Sequence, residues 1–231
     1  MSGQEFRMAR RARGWTQKKA AVRMGVSQTY VALLERGKRK FPSKLARKAV
    51  VALNLDPVSL PVRNAVGGTE ADTLARQLAA LGYPGFAYLH GLHKRNPAEV
   101  LLTALAQQEL ESRLVEALPW LLLNYSRMAD VCREWLLEQA RLRNLTNRLG
   151  FVASTAKLVL ENRRETQSER YRALTQMEKD LNHSLLARED TLCQASLSQA
   201  ERDWLKENRP EMASKWNLLT NWKPEFLQYA D

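Results

Sequence analysis

The sequence predicts an all-helical chain of two domains, and three observations predict it. Apolar residues recur at spacings of three, four and seven through most of residues 109–186, the pattern of helices that each bury one face. Charge is sharply divided: residues 1–64 carry 15 Lys and Arg against 3 Asp and Glu, whereas residues 65–231 carry 21 against 22. The net charge of +11 is therefore an N-terminal surplus of +12 set against −1 in the remainder. Between the two lies VRNAVGG, residues 62–68, whose composition is that of a short linker with Gly67 and Gly68 as its hinge. At 231 residues and 45% hydrophobic content, each half has enough apolar material for its own core. The expected division is a first domain over 1–64, a linker over 65–68 and a second domain over 69–231.

The first helix is expected over residues 3–13, with Phe6 and Ala9 inward, Arg7, Arg11 and Arg13 outward, and Gly14 stopping it. Trp15 then packs across the domain. Residues 16–37, TQKKAAVRMGVSQTYVALLERG, read as two short helices joined by a tight turn. The earlier one runs over about residues 17–24, Gly25 supplies the backbone freedom of the turn, and Ser27 caps a later helix ending near Glu35. Ala20 and Ala21 let the pair approach closely, while Met24, Val26, Val31 and Leu34 fall on the face that a 3.6-residue period buries. Gln28, Thr29 and part of Ala32 and Leu33 are left outside. Lys38, Arg39, Lys40 and Lys44 follow, placed to grip phosphates beside a groove that the helix enters. Phe41 and Pro42 lead to Ser43, an N-cap for a helix through Asn54 that buries Leu45, Ala49, Ala52 and Leu53, and DPVSLP closes the domain with a short turn.

The ungapped pattern over residues 6–42 resembles the Cro and lambda-repressor type of helix-turn-helix, the Xre family. The resemblance implies that Gln17, first in the second helix, donates to a DNA phosphate, with Lys18 and Ser27 making backbone contacts beside it. It implies base reading by the exposed start of the third helix, Gln28 and Thr29, with Ala32 and Leu33 behind them. It also makes Arg10 and Glu35 a structural ion pair. The sequence departs from its relatives at Leu33, where they often carry a polar side chain; an apolar one can touch a thymine methyl. The partition of charge favours double-stranded DNA as partner over an interaction-only helical domain.

In the second domain, a helix capped by Thr69 carries Leu74, Leu78 and Leu81 to Gly82, where GYPG must turn and Tyr83, Phe86 and Tyr88 crowd together. Asn96 followed by Pro97 is a specific start signal for a helix burying Val100, Leu101, Ala104 and Leu105. Residues 109–186 read as helix interrupted at Pro119 and Gly150. Their stripes are Leu110, Leu114 and Leu118; Met128, Val131, Trp135, Leu142, Leu145 and Leu149; and Leu174, Met177, Leu181 and Leu185. A bundle core is the expected use, with a coiled-coil dimer seam as the alternative. ENRRETQSERYR, residues 161–172, is expected to be a solvated helix face. Ser198 and Glu201 form a capping box opening a helix with Trp204 and Leu205. Beyond it stand Trp216, Leu218, Leu219, Trp222, Phe226 and Tyr229, and since burying one such side chain is worth about 1.5–3 kcal/mol, this segment must dock on its own bundle or on a partner.

Sequence patterns for catalysis are missing: no phosphate-cradling glycine loop, no nucleophile elbow, no cysteine in a nucleophile context. His90 and His93 are spaced as two metal ligands might be but have no completing Cys or carboxylate nearby, and His183 stands alone on a helix. No enzyme, metal or cofactor is expected. Cys132 and Cys193 lie far apart and read as reduced thiols; with no leader-like apolar stretch behind the charged start and no run of about 18 apolar residues, the expected location is the cytoplasm and no membrane partner is expected. The phrases LGYPGFAYL, NPAEVLLTAL, LPWLL, ARLRNLTNRLGF and WNLL resemble the helical C-terminal halves of Xre-type regulators from toxin-antitoxin or phage-defence loci, several of which are partnered with nucleotidyltransferase-like toxins. The expectation is a Cro/lambda-repressor-like helix-turn-helix domain joined to a C-terminal helical bundle domain: a sequence-specific transcriptional regulator, a repressor acting as a homodimer on a palindromic operator. The alternative is an antitoxin whose second domain binds a protein toxin, or an effector, while its first domain autoregulates the operon.

Overall fold

The computed structural model describes residues 1–62, 70–90, 93–125, 127–227 and 229. The chain separates into two compact units, Met1–Arg63 and Asn64–Asp231. The expected linker at 65–68 and the Thr69 cap lie outside the described residues, as does the side chain of Phe226.

Unit 1 consists of α1 (Gly3–Ala12), α2 (Gln17–Met24), α3 (Gln28–Glu35), α4 (Ser43–Leu53) and a 3-10 turn at Pro57–Ser59. Side-chain caps set most of the starts. Ser2 and Glu5 form a capping box on α1, the Thr16 hydroxyl accepts from Lys19 N–H, and the Ser27 hydroxyl accepts from Tyr30 N–H, both at 3.1 Å. Gly25 ends α2 at φ 69°, a left-handed conformation that a side chain would strain. Phe6, Ala20, Ala21, Met24, Val31, Leu34, Leu45, Ala49 and Leu53 make the core, and the Phe41 ring meets Phe6 at 5.2 Å. Two expectations are corrected on α4. Ser43 is the first helical residue rather than the cap; Pro42, held at φ −62° and extended, precedes it with no side-chain cap. Ala52 is only half-buried, because Ala46 and Val50 share the inward face with Leu45, Ala49 and Leu53; Val26 is half-buried as well.

Unit 2 runs α5 (Ala71–Leu81), a 3-10 turn at Pro84–Phe86, α6 (Pro97–Leu105), α7 (Ser112–Asn124), α8 (Met128–Val131), α9 (Arg133–Leu142), α10 (Thr146–Asn162), α11 (Glu169–Asn182), β1 (Asp190–Thr191), α12 (Gln199–Asn208), α13 (Glu211–Lys215), β2 (Leu218–Leu219) and a 3-10 turn at Pro224–Phe226. α10 is the axis of this unit: it touches α6, α7, α9, α11, α13 and both strands, and every residue from Thr146 to Ala156 is buried. The two strands pair in parallel, Asp190 with Leu218 and Thr191 with Leu219. Two-residue strands have no periodicity to read, and they leave the architecture helical.

Several sequence expectations fail here for identifiable reasons. α7 continues through Pro119, and α10 continues through Gly150. Gly150 is a notch rather than a break: a Cβ there would lie 2.3 Å from two carbons of the Trp216 ring, so only glycine lets the indole seat on α10. Trp216 is fully buried, its Nε1 donating to Ser154 Oγ at 2.9 Å, and Trp222 meets Phe151 at 6.2 Å. The segment after α13 thus docks on its own bundle. Val131 and Leu142 are 55% and 69% exposed, because the chain breaks at Cys132 between α8 and α9 and turns left-handed at Asn144 (φ 57°) before α10. Each break resets helical phase, so one stripe cannot run across them; Leu136, Leu137 and Ala140 are buried on α9 instead. Residues 161–172 hold a turn with Arg164 at φ 60° and the Ser168 cap of α11, not a continuous helix face. Tyr88 and Leu185 are exposed, the latter because α11 ends at Asn182.

Two polar clusters tie the later segments to α10. Buried Arg148 donates Nε and Nη2 to the two Asp190 oxygens at 2.6 and 2.8 Å, and Nη1 to the carbonyls of Leu105 and Gln107 at 2.8 and 2.9 Å. Glu178 accepts from Ser154 Oγ at 2.8 Å and from Lys157 and Lys215, each at 2.5 Å, joining α10, α11 and α13. Both cysteines are buried.

Candidate nucleic-acid interface

The left-handed turn at Gly25 and the Ser27 cap present α3 with its first two residues, Gln28 and Thr29, exposed. Ala32 and Leu33, one turn on, are half-buried. The helix is anchored behind by Val31 and Leu34, each almost fully buried. Its exposed beginning is uncharged, and amide and hydroxyl groups of this kind are able to hydrogen-bond base edges. Exposed cations precede and follow it in the chain. Lys18 is exposed at the start of α2, Lys38, Arg39 and Lys40 are exposed in the turn after α3, and Lys44 is exposed in the first turn of α4. The Ser27 hydroxyl is spent on its cap, leaving its second lone pair and its hydrogen for any further contact.

Behind this surface lies a buried polar clamp. Arg10 Nε donates to Glu35 Oε1 at 2.5 Å and Nη2 to Oε2 at 3.1 Å, and Nη1 donates to the Trp15 carbonyl. Gln17 Nε2 donates to Glu35 Oε2 at 2.9 Å. Burial pushes the Glu35 carboxyl up, but the hydrogen bonds from Arg10 and Gln17 outweigh it and hold its pKa below the usual carboxylate value. α1, α2 and α3 are therefore locked to one carboxylate, which fixes how α3 projects.

Sequence reasoning missed the Gln17 bond to Glu35. An amide carries no sign in sequence of a partner 18 positions away. One Gln17 N–H is committed to Glu35, and an amide nitrogen has a second. Sequence reasoning also missed the exposed Arg36, which caps the C-terminal end of α3. Elsewhere, His90 is exposed with Nδ1 2.8 Å from the Leu89 carbonyl, and among the described residues no three His, Cys, Asp or Glu side chains gather as a metal site. No helix among them is long and apolar enough to cross a membrane.

Residues 6–60 match the family model described as Helix-turn-helix, which identifies unit 1 as a DNA-binding domain of that family. The match ends inside unit 1 and does not extend to unit 2. No curated protein and no solved structure is similar enough to this chain to be matched.

Proposed function

We propose that the chain is a transcriptional repressor that binds a palindromic operator as a dimer, with α3 of each copy in the major groove. The observation that carries this is the pairing of an uncharged, exposed helix start, Gln28 and Thr29, with a surround of exposed cations, Lys18, Lys38, Arg39, Lys40 and Lys44. Gln28 reads an adenine edge through two hydrogen bonds, Thr29 supplies a hydroxyl and a methyl, and Ala32 and Leu33 give apolar contact to a thymine methyl. Gln17, Lys18, Ser27 and the cations after α3 hold the backbone and set the register. Arg10 and Glu35 keep α3 aimed. Repression follows from occupancy, since a bound protein at a promoter excludes polymerase with no further contact required.

One short helix reads only a few base pairs, so specificity calls for two copies. Footprinting of the full chain on DNA selected from its host's genome tests the reading. Two protected half-sites with centres about 34 Å apart, or a multiple of that, are expected. Uniform weak protection at every sequence would remove the claim of specific reading.

A further inference from the structure

Unit 2 contains a cleft of about 600 Å³ where the α9–α10 turn, the start of α10 and the segment leading into β1 meet α12. That volume is within the range of small-molecule sites, about 300–1,000 Å³. Four arginines line it, Arg143, Arg148, Arg188 and Arg202, against two carboxylates, Glu189 and Asp190. Both carboxylates are already engaged: Asp190 holds Arg148, and Glu189 lies 3.3 Å from Arg209 and 3.8 Å from Lys206. Arg148, 6% exposed and saturated by Asp190 and two carbonyls, is a fixed floor rather than a free donor.

What faces the opening is surplus positive charge. Arg188 is exposed and makes no hydrogen bond or ion pair among the described residues. Among the described residues Arg202 donates only to the main-chain carbonyls of Leu197 and Ala195, at 3.1 and 3.0 Å, and has no counter-ion. Asn144 and Gln108 also line the cleft, with side-chain amides that bond nothing among the described residues. Asn144, in the wall, sits at φ 57°, as does Cys193 beneath it in contact with the floor, its sulfur 3.5 Å from Arg148 Nη1. Among the described residues no aromatic ring lines the cleft.

We infer that this cleft binds a small organic phosphate, its phosphate held by the guanidinium groups of Arg188 and Arg202 and its polar body by the amides of Asn144 and Gln108. Guanidinium forks match phosphate oxygens in geometry and charge, and free amides suit hydroxyl groups; the missing aromatic surface removes ring stacking as a source of affinity. This inference stands on unit 2 alone and is independent of how α3 meets DNA.

Isothermal titration of the full chain with inorganic phosphate, ribose 5-phosphate and ADP tests it. Saturable binding of at least one organic phosphate, one per chain and tighter than inorganic phosphate, is expected. Arg188→Gln, at an exposed and unpartnered site, should weaken it about tenfold to a hundredfold, the cost of one charge-assisted contact. A control with Lys38→Gln, Arg39→Gln and Lys40→Gln together should leave it unchanged, because unit 1 is not involved. No saturable binding of either organic phosphate, affinity undiminished by Arg188→Gln, affinity lost in the unit 1 control, or inorganic phosphate bound as tightly as the organic ligands would each overturn the assignment.

Discussion

Gln28 and Arg39 stand only a few residues apart, yet the two side chains should fail in different ways when truncated. A bidentate contact to adenine is worth about 1–3 kcal/mol of discrimination, so Gln28→Ala should relax preference at one base position per half-site while nonspecific binding persists. Under the proposed docking Arg39, which follows the helix, would meet phosphate only; each neutralised phosphate contributes about 0.9 to the slope of log affinity against log salt. Arg39→Ala should therefore weaken all sequences alike and flatten that slope by about one. Salt titrations of both variants on operator and scrambled DNA check this, and the reverse pattern would mean that α3 docks differently. Glu178 supplies a second test at this scale. Burial raises its pKa, but hydrogen bonds from Lys157, Lys215 and Ser154 outweigh that and bring it down to about 2. A depressed carboxylate stabilises the fold above its unfolded value and loses that contribution as pH falls toward the folded one. Calorimetry should find Glu178→Gln less stable than the wild type by on the order of 3 kcal/mol near pH 7, with the gap closing between about pH 4.5 and 2. A gap that widens on acidification would contradict the linkage.

At the scale of elements, the notch in α10 has a sign that distinguishes it from ordinary helix chemistry. Alanine is favoured over glycine in a helix interior by about 1 kcal/mol, so propensity alone makes Gly150→Ala stabilising. The added Cβ would meet the Trp216 ring at 2.3 Å, and overpacking of this kind costs about 1–3 kcal/mol or more. Net destabilisation is expected, with a red shift of tryptophan emission as the indole is displaced, and Trp216→Leu in the same chain should recover part of the loss. Unchanged stability would show that the indole seats elsewhere. The same glycine marks where the sequence was legible and where it was not. In unit 1, α1, α2 and α3 and their turn could be read because caps, a turn glycine and local apolar spacing are all short-range signals. In unit 2 the starts at Asn96 and Ser198 were legible for the same reason. Gly150 reads as a break in sequence because its reason, Trp216, lies far along the chain. Val131 and Leu142 fall on the inward stripe in sequence because the breaks at Cys132 and Asn144 shift helical phase without any strong breaker residue. Of the candidate interface, the exposure of the start of α3 and of the cations is legible; the convergence of Gln17 on Glu35 is not, being a tertiary contact between polar groups.

For the whole molecule, the proposed dimer makes a statement about mass and symmetry. Sedimentation of the full chain with operator DNA should give two copies per site, and a monomer bound to one undivided site would end the palindromic reading. Purification from the native host should return the chain with itself; a second protein in stoichiometric amount would instead make unit 2 the holder of a toxin. The seating of Trp216 and Trp222 also orders events in time. Unit 1 is complete once residue 63 has been synthesised, whereas the core of unit 2 stays open until residues 216–222 exist to fill it. Because domains generally fold as units and N-terminal ones first, the half that grips DNA matures on the ribosome well before the half proposed to sense a ligand. A message truncated between residues 163 and 215 should yield a chain with unit 1 intact and an unfilled apolar groove along α10 where Trp216 would seat.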